Sequence, residues 1–169
     1  RVDGLVVRPA GRIYFVLNKP PGVLSTNKDP QGRARVIDII PTRERLFTVG
    51  RLDRMSEGLI LLTNDGELAN QLAHPRYGVT KTYRVTVAGN PTGAALKQVR
   101  KGIYLDDGLA QVDALRVKRR LARSTEMEMV LSEGRNREIR RVLARIGHKV
   151  LKLKRIALGP LRLGKLQPG

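Results

Sequence analysis

Short apolar runs and one alternating stretch mark the predicted strands of this chain. Residues 13–17 and 59–63 are almost entirely apolar, as expected of buried strands, and residues 18–22 predict a turn because they contain Asn, two Pro and Gly. Polar and apolar side chains alternate over residues 81–87, which indicates a strand with one face in solvent. Further strands are predicted over residues 111–117, 126–131, 150–153 and 161–163.

Helical signals are fewer than strand signals. Helices are predicted over residues 67–73 and 92–102, and residues 36–40 are predicted to be short and either helical or irregular. A last helix is predicted between an Asn136 cap and Gly147, with an apolar stripe along one face. Because the strands come in groups with few helices between them, the pattern predicts an α+β fold with mostly antiparallel pairing.

The composition excludes several classes of protein. Cysteine is absent from the 169 residues, which rules out disulfide scaffolds, thiol chemistry and cysteine-based metal sites, and two histidines make a poor zinc cage. The sequence therefore predicts no metal site. The longest apolar run, residues 59–62, is far shorter than the ~20 residues that cross a bilayer. The length suits one domain or two small lobes that share a core.

The charge of the chain points to a polyanionic partner. Lys and Arg number 33 against 15 Asp and Glu, so the formal net charge is +18, and the isoelectric point is near 11.3. Such an excess repels itself in a compact chain, which favours nucleic acid as the first candidate partner and an acidic membrane surface as the second. The sequence has no basic amphipathic helix with a bulky aromatic face, which argues against the membrane.

Nine basic residues lie within residues 133–155, most of them on or near the last predicted helix. Helical spacing places Arg137, Arg141 and Arg145 on one face, where no acidic residue is spaced to pair with them. An RNA backbone across this face would relieve their mutual repulsion, and a solvated helix face is the alternative. A second basic cluster, over residues 116–123, is equally compatible with solvent and with RNA.

One loop concentrates polar groups between two apolar segments. Residues 50–58 begin and end with glycine, and Asp53 stands there between Arg51 and Arg54. A carboxylate beside guanidinium groups stays ionised, so Asp53 could act as a nucleophile or as a base, with a structural cap or ion pair as the alternative. The few aromatic residues form no stacking row, a pattern that fits an RNA-modifying enzyme better than a sequence-reading module.

Four segments, in order along the chain, resemble the motifs of a known enzyme family. Residues 48–66 (TVGRLDRMSEGLILLTNDG) look like the signature of RNA pseudouridine synthases, in particular of the branch that acts on single uridines in ribosomal RNA. Residues 17–22 resemble the first motif of that family, residues 81–85 its lysine-threonine-tyrosine strand, and residues 133–141 its arginine-rich last motif. Together these segments span most of the chain.

The resemblance implies a fold and a domain organisation. The expected catalytic domain covers residues 13–169 and has a mixed, mainly antiparallel sheet in two lobes, flanked by helices, with a basic central cleft. Residues 1–12 are expected to be a linker or the tail of the RNA-binding domain that family members usually carry, a domain expected to be missing here. We also expect a cytoplasmic monomer that acts on ribosomal RNA, does not bind membranes and needs no cofactor.

The resemblance also implies roles for three residues. Asp53 is the expected catalytic aspartate in the cleavage of the N-glycosidic bond, whether it reacts with the sugar or with the base. Tyr83 is expected to stack on the uracil and to help remove the C5 proton, with an ordinary half-buried strand tyrosine as the alternative. Arg140 is expected to pair with Asp53, with a phosphate contact on the flank of the helix as the alternative.

The remaining expected site residues contact RNA. Arg51 would fill the space that the flipped base leaves, unless it forms an ion pair with Glu57. Residues 25–32 resemble a large-subunit enzyme more than its small-subunit relative, so ribosomal RNA of the large subunit is the favoured substrate. The full set of predicted RNA contacts is Lys19, Arg51, Lys81, Arg135, Asn136, Arg137 and Arg141.

The competing hypothesis is a non-catalytic ribosomal RNA-binding or ribosome assembly protein. The basic helix would serve that function equally well, with Asp53 purely structural. The two hypotheses differ in one geometric expectation. An enzyme requires Asp53, Tyr83 and Arg140 to converge in one open cleft, whereas scattered positions favour the binding protein.

Overall fold

The computed structural model describes residues 11–169, so the predicted linker or tail over residues 1–12 lies outside the described residues except for its last two positions. Within the described part of the chain, no helix is both long enough and apolar enough to span a bilayer. The helices are α1 (Val36–Ile39), α2 (Gly66–Ala73), α3 (Gly93–Lys101) and α4 (Glu138–Arg145), with a 3-10 turn at Pro75–Tyr77. The strands are β1 (Tyr14–Lys19), β2 (Phe47–Thr48), β3 (Glu57–Thr63), β4 (Lys81–Ala88), β5 (Ile103–Leu105), β6 (Gly108–Ala110), β7 (Ala114–Arg120), β8 (Ser124–Leu131), β9 (Val150–Leu158) and β10 (Leu161–Arg162).

One eight-stranded sheet organises the molecule. Its strands follow the order β1-β3-β9-β4-β8-β7, with β2 beside β3 and β10 beside β9, while β5 and β6 form a separate hairpin. The pairing of β3 with β9 is parallel, and the other pairings of these strands are antiparallel. The predicted α+β fold with a mixed, mainly antiparallel sheet is therefore confirmed.

The hydrophobic core is divided between two lobes. The larger cluster lies where β4, β7, β8 and β9 pack against α3 and α4, and it includes Val85, Met127 and Leu143. Smaller clusters surround β1 and β3 and contain Leu17 and Leu59. Burial alternates along β8 as the apolar spacing predicts, because successive strand residues point to opposite faces of the sheet.

Gly58 allows the two lobes to meet. The parallel pairing of β3 with β9 covers two positions, Glu57 with Lys154 and Gly58 with Arg155. A Cβ at Gly58 would overlap the carbonyl oxygen of Arg155, and the φ of 105° at this residue favours glycine. The missing side chain thus lets β9 pack directly against the start of β3, just after the loop of residues 50–56.

Local signals predict the helices well but not every boundary. The side-chain oxygen of Thr92 caps α3, accepting a hydrogen bond from Ala95 N at 3.2 Å, and Gly102 ends that helix as predicted. The predicted Asn136 cap is wrong. The N-cap of α4 is Arg137, which adopts a left-handed conformation with φ 49° and ψ 30°. Because α4 begins after Arg137, this arginine lies outside the regular helix that carries Arg141 and Arg145.

Candidate active site

A cavity of about 480 Å³ opens between the two lobes. It is lined by the polar loop (residues 50–56), by the start of β4, by the segment 133–138 and by β9. Three of the four motif segments therefore meet at one place, although they are far apart in sequence. Six basic and three acidic residues line the cavity, which makes it a basic cleft. Its wall includes Arg51, Asp53, Lys81, Tyr83, Asn136 and Arg155.

Lys19 holds the polar loop from behind. Its ammonium donates hydrogen bonds to the carbonyl oxygens of Pro20, Arg54 and Ser56 at 2.8, 3.2 and 2.7 Å. The side chain is fully buried, and this burial lowers the pKa of Lys19 to about 8, although two nearby carboxylates oppose the shift. The predicted RNA contact of Lys19 is wrong, because the ammonium is enclosed and bonded to three backbone oxygens.

Further hydrogen bonds, besides those of Lys19, hold the polar loop against residues 22–25. Gly22 N donates to Arg54 O at 2.7 Å, and Arg54 Nε donates back to Gly22 O at 3.2 Å. Ser25 Oγ donates to Leu52 O at 3.1 Å and accepts from Leu52 N at 3.2 Å. The backbone is thus held on both sides of Asp53, which restricts where its carboxylate can lie.

The Asp53 carboxylate lies beside two arginines of the last motif. Its Oδ2 is 3.4 Å from Arg137 Nη1 and 3.5 Å from Arg140 Nε. The side chain keeps 26% of its surface exposed at the cavity wall. Among residues 11–169, no group donates a hydrogen bond to its Oδ1. One carboxylate oxygen is therefore held in place, and the other is free to meet a ligand.

Arg140 approaches Asp53 from behind the polar loop. Its Nη1 donates to Val150 O at 3.2 Å, its Nη2 donates to Ser56 Oγ at 3.4 Å, and its side chain is 16% exposed. The structure thus places Arg140 in the predicted pair with Asp53. The alternative of a phosphate contact does not fit, because the guanidinium is enclosed and its nitrogens face protein oxygens.

Arg137 reaches the same carboxylate from the solvent side. Its left-handed φ is the single positive value at a non-glycine position in the described chain, a conformation that costs energy for a residue with a Cβ. As an N-cap it lies outside the regular helix, so its side chain does not continue the face formed by Arg141 and Arg145. With 54% of its side chain exposed, Arg137 can contact both Asp53 and a ligand.

The other arginines of α4 pair with carboxylates far along the chain. Arg141 forms two contacts of 2.9 Å with Asp107, and Arg145 lies 3.0 Å from Asp106. Both aspartates occupy the turn between β5 and β6, so the expectation that this face has no acidic partner is wrong. The hydrogen bond from Arg141 also holds the pKa of Asp107 below its usual value. The structure does not bring Arg141 to the cavity wall, in contrast to the prediction.

The remaining predicted RNA contacts differ in exposure. Arg51 and Asn136 are exposed on the cavity wall, where an RNA strand could reach them. Arg135 also lines the cavity, but it is half-buried, and its Nε donates a hydrogen bond to Glu133 Oε2 at 2.7 Å. Glu57 pairs with Lys152 at 3.2 Å, so the alternative ion pair between Glu57 and Arg51 is wrong.

Tyr83 and Lys81 reach the cavity from β4. Tyr83 is half-buried, packs against the cores of both lobes and lines the same cavity as Asp53. Lys81 is 5% exposed and donates to Ser132 O at 3.0 Å. Burial lowers the pKa of Lys81, and the charge of Arg155 adds to this shift. The predicted contact of Lys81 with an RNA backbone does not fit this internal position.

Two residues of the cavity wall were not predicted from the sequence. Arg155 is buried, its Nε donates to Leu59 O at 2.7 Å, and its Nη2 has no partner in the described chain. Glu138 is also buried and accepts a hydrogen bond from Arg135 N at 3.1 Å, and burial raises the pKa of this carboxyl group. Both lie within residues 133–155, which are rich in charged residues. The local sequence there does not show which of the charged side chains are buried and which are exposed.

Most residues that line the cavity fall within a match to a known family. A family model described as RNA pseudouridylate synthase matches residues 13–145. This chain belongs to that family. The match includes the polar loop, the start of β4 and the segment 133–138, which together form most of the cavity wall. The chain is therefore an RNA pseudouridine synthase, an isomerase, and the resemblance of its four motifs is confirmed.

Two named relatives are similar over nearly the whole chain. A protein of Aquifex aeolicus (strain VF5) that is named an uncharacterized RNA pseudouridine synthase is 46% identical over 170 residues, covering 99% of this chain and 68% of the relative. The ribosomal large subunit pseudouridine synthase B of Bacillus subtilis (strain 168) is 41% identical over 172 residues, covering 99% of this chain and 70% of the relative. The chain thus spans about two thirds of the length of these relatives.

A solved structure has the same fold. The crystal structure of a pseudouridylate synthase superposes with a TM-score of 0.81 at 28% sequence identity. The superposition covers 94% of this chain and 68% of the other. The expected pseudouridine synthase fold is therefore confirmed.

Proposed function

We propose that this enzyme converts a uridine of ribosomal RNA, from the large subunit, into pseudouridine. The observation that carries this proposal is the position of Asp53 and Tyr83 on one cavity, with Arg140 paired to Asp53 from behind. The Bacillus subtilis relative is named for the large ribosomal subunit, and residues 25–32 favour the same subunit. A binding protein without catalysis would not need this convergence.

The cavity suits a single nucleotide that has left its stack. Its volume of about 480 Å³ falls within the usual range of small-molecule sites, roughly 300–1,000 Å³. Chemistry on a base requires the nucleotide to be extruded into such a pocket. Arg51, Asn136 and Arg137 are exposed on the wall, and we propose that they contact the RNA around the extruded uridine. Arg51 would fill the space that the base leaves.

Asp53 is the proposed catalytic residue for cleavage of the bond between ribose C1′ and uracil N1. Its Oδ1 is free of hydrogen bonds from the described chain, whereas Arg137 and Arg140 hold its Oδ2. A carboxylate held in this way can attack or stabilise the sugar at C1′, and reaction with the base remains open as the alternative. Arg140 orients the carboxylate and does not touch the substrate.

Tyr83 is the proposed partner of the uracil ring. Stacking on its ring would hold the detached base while the base turns to present C5 to C1′. The new bond then joins C1′ and C5, and where Asp53 has bonded to C1′ that C–O bond breaks and restores the carboxylate. A proton leaves C5 with the help of the Tyr83 hydroxyl, and N1 gains a proton. The product has the same atoms as the substrate, so the proposed reaction requires no cofactor.

The test is a comparison of wild-type protein with Asp53→Asn on transcripts of both ribosomal RNAs. We expect wild type to form pseudouridine in the large-subunit transcript, and Asp53→Asn to lose this activity while it keeps RNA affinity within about threefold. Formation is measured by mapping pseudouridine along each transcript. Full activity in Asp53→Asn would overturn the role of this carboxylate. Equal or exclusive modification of the small-subunit transcript would overturn the choice of substrate.

A further inference from the structure

Two buried cations on the cavity wall form no ion pair with a carboxylate of the described chain. Lys81 is 5% exposed and Arg155 is 2% exposed, and both line the cavity. Neither forms an ion pair within residues 11–169. Lys81 Nζ has Ser132 O as an acceptor, Arg155 Nε has Leu59 O, and the Nη2 of Arg155 has none in that range.

Strand pairing brings these two cations close to the position proposed for the base. Tyr83 on β4 pairs with Arg155 on β9, and Lys81 lies two residues before Tyr83. All three residues line the cavity, and the charge of Arg155 contributes to the lowered pKa of Lys81. Glu138 and Asp113 act on Lys81 in the opposite sense, although neither forms an ion pair with it in the described chain. The two positive charges act on each other and on whatever occupies the space beside Tyr83.

Two other enclosed cations, Lys19 and Arg140, have more complete sets of partners than Lys81 and Arg155. Lys19 donates to three carbonyl oxygens, and Arg140 pairs with Asp53. A buried cation without a carboxylate destabilises the folded state, and an arginine cannot escape by losing its proton. Charged groups in such surroundings cluster at functional sites.

We propose that Lys81 and Arg155 stabilise the negatively charged uracil that leaves the ribose when the glycosidic bond breaks. This inference rests on the proposed function of Asp53. When the C1′–N1 bond breaks, its electron pair stays on the uracil, which then carries one negative charge over N1 and its two carbonyl oxygens. That charge disappears when C5 bonds to C1′ and N1 takes up a proton. Because the charge develops during cleavage, the two cations favour the transition state over the bound substrate.

The test uses the neutral variants Arg155→Gln and Lys81→Met on the RNA that wild type modifies, carrying uridine or 5-fluorouridine at the target position. Fluorine makes the uracil a better leaving group, so cleavage then depends less on external stabilisation. We expect single-turnover cleavage of uridine to fall about 10- to 100-fold in each variant. The ratio of the 5-fluorouridine rate to the uridine rate should rise about tenfold above the wild-type ratio.

Two controls separate this electrostatic effect from a structural one. Removal of an uncompensated buried charge should leave the melting temperature unchanged or raised, whereas a structural role predicts a lower one. Arg155→Lys keeps the charge and should keep the wild-type ratio. Should Arg155→Gln fail to fold, Lys81→Met carries the test alone.

The outcomes distinguish this inference from the proposed function. A wild-type ratio in the neutral variants, together with an inactive Asp53→Asn, overturns the inference and leaves the proposed function intact. Full activity in Asp53→Asn overturns the proposed function itself. A raised ratio in both neutral variants at unchanged melting temperature supports the inference.

Discussion

The two sides of helix α4 carry arginines of the same kind with different partners. On the side of the polar loop, Arg140 and the preceding Arg137 contact Asp53 at the cavity. On the other side, Arg141 contacts Asp107 in the turn between β5 and β6. Adjacent residues of one helix therefore serve different parts of the molecule. A helix turns about 100° at each residue, so Arg140 and Arg141 leave its axis in different directions.

The difference lies in what each carboxylate can still do. Asp107 forms two contacts with Arg141 and takes part in joining a hairpin to a helix. Asp53 is held through Oδ2 alone, on a loop that Lys19 fixes from behind, and it keeps part of its surface at the cavity. Both oxygens of Asp107 are thus taken up by Arg141, whereas Asp53 keeps one oxygen available at the cavity.

The largest contrast is expected between Arg140→Met and Arg141→Met. Loss of Arg140 removes the fixed partner of Asp53, so kcat should fall about 10²- to 10³-fold, while RNA affinity changes little. Loss of Arg141 should change kcat by less than about threefold, because its partner lies outside the cavity. Single-turnover pseudouridine formation and melting temperature are measured for both. Equal losses of kcat at equal stability would contradict the division of the helix into two functional sides.

A second expected effect concerns Lys19, on which the catalytic side depends. Lys19→Met should lower kcat about 10-fold or more, because the polar loop loses three hydrogen bonds next to Asp53. The control is Lys101→Met, an exposed position at the end of α3, which should behave as wild type. A fully active Lys19→Met would mean that the other contacts of residues 18–25 suffice to hold the loop.

The pH dependence of stability gives an independent check on Lys19. Its pKa is about 8 in the folded protein and 10.5 without the fold, so the folded state binds fewer protons between these values. The contribution of Lys19 to the free energy of unfolding therefore rises as pH increases from about 8 to about 10.5. Urea unfolding across this range should show a steeper rise for wild type than for Lys19→Met. Parallel curves would contradict the buried, charged placement of this side chain.

The smallest expected effect tests the backbone at the start of α4. Arg137→Gly and Arg137→Ala both lose the contact with Asp53 and should show similar, roughly tenfold losses of rate. Glycine tolerates the left-handed conformation, so Arg137→Gly should be more stable than Arg137→Ala by about 1 kcal/mol. At Arg141, inside the helix, the order should reverse by a similar amount. Denaturant unfolding of the four variants measures both differences, and the same order at both positions would contradict the helix boundary.

Local sequence predicted the elements but not the partners of the charged residues. The Thr92 cap of α3 and the alternation along β8 follow from rules that act over a few residues. The pairs of Arg141 and Arg145 join residues that are 34 and 39 positions apart, so spacing on the helix could not reveal them. The chain between these partners contains β7 and β8, which pair with each other, so the partners are neighbours only in the folded molecule.

The two lysines predicted to contact RNA are buried, whereas two of the arginines predicted with them are exposed. Lys19 and Lys81 belong to motif segments and were predicted to contact RNA, yet both are enclosed. Arg51 and Arg137, with the same charge, remain exposed at the cavity. The local sequence around a long basic side chain does not show whether that side chain is buried or exposed. Its exposure depends on which strands pack over it in the folded molecule.

From the sequence alone, the α+β class, the basic character and the family followed, because apolar periodicity, composition and motif order are properties of the chain itself. The pair of Arg140 with Asp53 was expected from the resemblance, whereas the tertiary structure alone decided the partners of Arg141 and Arg145. It also enclosed Lys19, Lys81 and Arg155. The placement of Arg155 beside the polar loop depends on the parallel junction of β3 with β9, where Gly58 lets two distant segments touch. Burial and charge pairing arise between segments, so no stretch of sequence contains them.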